Sequence, residues 1–193
     1  MTKIFFSVIS EHAEIVGAEA LIAPWFSDDR PLRGGAGRID WRMCEFFSKL
    51  VDRSSVTDDP GSLFLLRTDE RVRATSVLLV AIGKRADVNP GAVEERLIHA
   101  FSSALTLGSR QIAICLRTIK ESVSDFSVSS FLAGLLPVVK TSKLESMRCS
   151  LLVDSQDLSS IRKDISLVAA RSPDLFLVLE ESKGNPFARD KKN

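Results

Sequence analysis

The 193-residue sequence has no tyrosine, two histidines, three cysteines and two tryptophans, and its 26 basic residues are balanced by 25 acidic ones. Each shortage excludes something. A formal net charge of +1 lacks the cationic excess that neutralises phosphates, so no nucleic-acid partner is expected. Two histidines exclude a His-rich metal centre and most His-dependent catalysis. His99 falls off the apolar face of its helix, and His12 follows the first strand without a sequence-near partner. Cys44, Cys115 and Cys149 are odd in number, far apart and without metal-ligand spacing, which suits a reducing, cytoplasmic location. Cys115 lies inside the apolar run 112–116 and reads as a core residue, with no base to make it a nucleophile. The longest uncharged stretches, 97–109 and 126–139, are too short to cross a bilayer. The start lacks the apolar core and cleavage site of a signal peptide, and no membrane partner is expected. What is present, 45% apolar and 26% charged residues, is the composition of a folded domain with an ample core.

Apolar runs predict strands at 4–9, 20–26, 63–66, 77–82, 111–116, 149–153 and 175–179. The run at 77–82 is apolar throughout, as in a parallel strand covered on both faces. Ile39, Met43, Phe46, Phe47 and Leu50 recur at helical spacing and predict one helix behind a turn-rich stretch at 30–37. Asn89 and Pro90 predict an N-cap and first turn for a helix that stops at Gly108. Further helices are predicted over 127–136, ended by Pro137, and over 158–169. Strands alternating with helices make an α/β fold whose mixed sheet carries helices on its faces. One domain is expected over 1–180, followed by a charged tail, 181–193, expected to be disordered.

The most informative segment is 28–42, Asp-Asp-Arg-Pro-Leu-Arg-Gly-Gly-Ala-Gly-Arg-Ile-Asp-Trp-Arg. Three glycines in four positions, between a strand and a helix, place free amides at a helix N-terminus, where the dipole favours an anion. Gly34, Gly35, Ala36, Gly37 and Arg38 are therefore the candidate ligand-binding residues. The segment fits neither the dinucleotide fingerprint nor the P-loop. Its plainer reading is a tight strand-to-helix connection in which glycines supply positive φ. Arg30, Arg33, Arg38 and Arg42 stand among Asp28, Asp29 and Asp40, so local salt bridges compete with any anion. Trp41, beside the apolar stripe, is expected to be buried in the core or an interface.

Asp28, Arg30, Pro31, Leu32, Gly34, Ala36, Gly37, Asp40, Trp41 and Arg42 together resemble the N-terminal domain of the leucyl aminopeptidase family of metallopeptidases. The stretch 77–83, Val-Leu-Leu-Val-Ala-Ile-Gly, resembles that domain's central strand. The resemblance implies a macro-domain-like three-layer α/β/α sandwich with a largely parallel sheet. It also implies that the family's two-metal site lies in a separate C-terminal domain bearing an Asn-Thr-Asp-Ala-Glu-Gly-Arg signature. The asparagines here, Asn89, Asn185 and Asn193, are not followed by threonine, and a two-metal hydrolase needs several converging carboxylates. No catalytic residue, metal or cofactor is expected, and hence no peptidase activity from this chain.

Three functional expectations follow. The first is a non-catalytic interaction or regulatory module that binds a protein partner or itself. The second is binding of a small anionic ligand, nucleotide or ADP-ribose-like, at 34–37; this rests on fold analogy, and the sequence lacks the Gly-Asp-Ile and Asn-Ala-Ala-Asn stretches of macro domains. An ADP-ribosyl hydrolase ranks last. An open cleft at 34–37 favours ligand binding, whereas a loop filled by Trp41 or arginine favours the scaffold.

Overall fold

A computed structural model describes residues 3–53, 55–172 and 176–180. The expectations for the tail, and for the start of the last strand, lie outside these residues. Seven strands form one sheet: β1 (Lys3–Ile9), β2 (Ala20–Phe26), β3 (Leu63–Arg67), β4 (Ser76–Gly83), β5 (Gln111–Cys115), β6 (Ser146–Leu152) and β7 (Phe176–Glu180). The order across the sheet is β3-β4-β2-β5-β6-β1-β7. The antiparallel pair is β3 with β4; all other neighbours run parallel. The helices are α1 (Gly34–Arg42), α2 (Phe46–Asp52), α3 (Pro90–Thr106), α4 (Arg117–Ser122), α5 (Val128–Thr141) and α6 (Leu158–Ala170).

The period-2 alternation of each strand divides the core into two layers. Along β2, Leu21, Ala23 and Trp25 join Ala36 and Ile39 of α1 and Phe47 of α2 on one face. Ala20, Ile22 and Phe26 join Leu97 and Phe101 of α3, Phe131 and Leu135 of α5, and Ile161 of α6 on the other. This is the α/β/α sandwich. Asn89 caps α3 as expected, its side chain accepting from the Ala92 amide at 2.9 Å. Ser7 and Ser150 pair their hydroxyls at 2.7 Å between β1 and β6, where both are buried.

Five local expectations are corrected. The single helix over 39–50 is two, α1 and α2, because Cys44 and Glu45 both take left-handed backbone angles, φ 58° and 59°. The buried Asp40 carboxylate accepts from the Phe47 amide (2.8 Å), the Ser48 amide (3.2 Å) and the Ser48 hydroxyl (2.5 Å), and so starts the second helix. Gly34–Gly37 is not a loop before the helix but its first turn. Pro137 does not end α5, which continues to Thr141 and buries Val139 against the core. Trp41 is not part of the core: it is 71% exposed. Phe46, assigned to the inward stripe, is 48% exposed, because the break turns it outward.

Candidate functional site

Pro24 lies inside β2, where it cannot donate to a ladder. β2 pairs with β5 only from Ala20 to Ile22, so the missing donor costs no bond on that side. The chain leaving β2 then crosses back over the carboxyl end of β5. It is fixed by Asp29, a buried carboxylate whose two oxygens each accept from Arg85 Nη2 at 2.9 Å. The Arg85 guanidinium also covers the Phe26 ring at 4.2 Å.

This brings the first turn of α1 against β5 and α4, and each glycine there has a steric cause. A Cβ on Gly37 would lie 2.3 Å from the Leu32 carbonyl oxygen, and one on Gly35 would lie 2.9 Å from Cys115 Sγ. Gly34 has φ +58° and stands against the Thr118 hydroxyl. Glycine is thus demanded by close approach as well as by backbone angle.

A cleft of about 590 Å³ opens beside this turn. Cys115 and Leu152 form its floor at the ends of β5 and β6, as expected for sites outside the carboxyl ends of parallel strands. Glu11, Ala13 and Glu14 wall it from the chain after β1. Gly34, Gly35, Gly37, Arg38 and Trp41 contribute α1, and Arg117 and Glu121 contribute α4. The first amides of a helix have no intrahelical acceptor, and Arg33 supplies no side-chain cap. The Gly37 amide is already bonded to the Arg33 carbonyl at 3.1 Å. Of the candidate residues, Gly34, Gly35, Gly37 and Arg38 line the cleft. Ala36 is fully buried beneath it and offers at most its amide.

The cations are engaged. Arg38 Nη1 lies 3.2 Å from Glu14 Oε1, and Arg117 Nε lies 2.6 Å from Asp154 Oδ1. Glu11 and Glu121 have no basic partner among the described residues. Arg33 pairs with Asp29 at 3.8 Å, while Arg30 faces Asp52 at 4.0 Å and Asp58 at 3.9 Å. Local pairing within the segment is thus only partial; Arg38 pairs outside it. Burial pushes the Cys115 thiol up to about 12, which holds it protonated in the cleft floor. No group of three or more His, Cys, Asp or Glu among the described residues gathers closely enough to hold a metal ion. No helix among them is long and apolar enough to cross a membrane.

Sequence reasoning missed Glu14, Arg117, Thr118 and the whole of α4. Their signal was positional: all follow the carboxyl ends of parallel strands. Residues 15–136, more than half of the chain, match the cytosol aminopeptidase family, N-terminal domain. The chain belongs to this family. The matched span of the cytosol aminopeptidase N-terminal domain contains the whole 28–42 segment and most of the cleft. Its fold is that of macrodomains. An Oceanobacillus iheyensis macrodomain with MES bound superposes with TM-score 0.61 at 11% identity, covering 85% of this chain and 92% of that one. The same macrodomain with ADP gives TM-score 0.59 at 11% identity, over 85% and 91%. A Trypanosoma brucei macrodomain in complex with ADP gives TM-score 0.59 at 14% identity, over 84% and 69%. At such identities the likeness establishes the fold alone. No curated protein matches the chain.

Proposed function

We propose that this cytosol aminopeptidase N-terminal domain binds a small ligand by an anionic group seated on the first turn of α1. One observation carries the reading: an uncapped helix start, kept free of side chains at Gly34 and Gly35, faces an open cleft at the ends of β5 and β6. Amides and helix dipole together make such a turn attractive to one negative charge. Macrodomains of the same fold have been solved with ADP, which supports a small anionic ligand for this fold. Calorimetry and melting shifts of the full chain with phosphate, 3-phenylpropionate, ADP and ADP-ribose test it. Saturable binding of at least one is expected, and silence from all of them overturns the proposal.

A second reading is a non-catalytic interaction module, favoured by Trp41 at 71% exposure and Phe46 at 48%. A partner chain or a second copy would cover these side chains. Pull-down and size-exclusion chromatography decide this: a monomer without partner argues against it. In either reading the chain hydrolyses no peptide. Cleavage of leucine p-nitroanilide with added manganese or zinc, lost on chelation, would overturn that. Three free thiols fit a reducing compartment, and we place the protein in the cytoplasm.

A further inference from the structure

Among the described residues, the buried side-chain polar atoms without a hydrogen-bond partner are Glu14 Oε2, Arg117 Nε and Thr118 Oγ1. All three belong to one place. Glu14 and Arg117 line the cleft, and the Thr118 hydroxyl abuts Gly34 in the first turn of α1. Arg117 Nε is close to Asp154, yet its N–H does not point at the carboxylate and makes no hydrogen bond. Buried polar groups are almost always satisfied in folded proteins. Two of these groups, on Glu14 and Arg117, line one cavity; Arg117 is ion-paired with Asp154, whereas Glu14 Oε2 is left for a bound molecule to complete.

The orphans also describe that molecule. Arg117 and the first turn of α1, with the amides of Gly34 and Gly35, bring donors to one end of the cleft, so that end calls for an anion. Glu14 is an acceptor with 11% of its side chain exposed, and only its Oε1 is engaged, by Arg38. Glu11 and Glu121 add carboxylates that no cation among the described residues neutralises. A polyphosphate entering here would meet this negative excess, whereas a protonated amine would relieve it. Ala13, Leu32, Leu152 and Trp41 give the cavity an apolar wall.

We propose that the ligand is a small zwitterion, with an anionic group and a protonated amine on one short apolar body, and that Glu14 selects the amine. This rests on the ligand-binding reading above and narrows it. The test is calorimetry on the full chain with L-phenylalanine, 3-phenylpropionate (amine removed), phenethylamine (carboxylate removed) and ADP. Phenylalanine is expected to bind at least about tenfold more tightly than either analogue. Glu14→Gln is expected to erase that advantage over 3-phenylpropionate. Should Glu14→Gln melt early, Glu11→Gln with Glu121→Gln, both at the rim, must narrow the same advantage. If 3-phenylpropionate or ADP binds as well as phenylalanine or better, the zwitterion is wrong and the anion site stands. If nothing binds, and phosphate and ADP-ribose are silent as well, both readings fall.

Discussion

One methyl group at Gly37 decides whether the first turn of α1 closes. Its nearest neighbour would be the Leu32 carbonyl, a backbone atom that cannot rotate away. Gly37→Ala is expected to destabilise the domain by about 1–3 kcal/mol, read as a lower denaturant midpoint. An unchanged midpoint would mean that the turn yields. The cysteines offer a second test. Burial raises the folded-state pKa of Cys115 from 9.0 to about 12, and that of Cys149 still further. The unfolded thiols lose their protons near 9.0 while the folded ones keep theirs. Their contribution to stability is thus complete below 9.0 and drains away as pH rises toward 12. Denaturant midpoints are expected to fall above pH 9, less steeply in Cys149→Ala; a slope identical in that variant contradicts the account. In the native protein a thiol reagent should label Cys44, the exposed cysteine, and spare the two buried ones.

At the scale of elements, α1 and α2 depend on Asp40. Its carboxylate holds two amides and a hydroxyl of α2 from within α1, so Asp40→Ala removes a cap and leaves buried donors unpaired. A loss of about 2–3 kcal/mol is expected, with Asp40→Asn recovering part of it; thermal melts of both variants measure this. Asp40 also illustrates what the sequence conveys. The apolar spacing from Ile39 to Leu50 was visible, but the capture of Phe47 and Ser48 by a carboxylate beside that stripe was not. Elements with local causes were legible: the apolar run of β4, and α3 with its Asn89 cap. Those set by distant packing were not. Gly34–Gly37 reads as a loop by propensity but forms the first turn of α1, where Thr118, Cys115 and Leu32 leave no room for a Cβ at 34, 35 and 37. The same split applies to the cleft. Its glycines and Arg38 stand together in the sequence, whereas Glu14, Arg117 and Thr118 are delivered by the ends of β1 and β5. α4, a six-residue helix without a cap, carries no periodic signal of its own.

For the molecule as a whole, the arrangement of the sheet governs what can be removed. β1 is bordered by β6 and β7, and both neighbours come from the far end of the chain. A chain truncated after residue 145 is expected to be insoluble, since Ile4, Phe6 and Val8 then have no strand beside them; recovery as a soluble monomer would contradict this. The matched family span begins at residue 15 and ends at 136, so neither β1 nor the two strands flanking it fall within it. The Ser7–Ser150 pair spans a separation of 143 residues. That separation matters while the protein is being made. β1 is synthesised long before either strand that will shield it, and during that interval an adhesive apolar ribbon is exposed to the cell. β1 is thus the strand most in need of a chaperone.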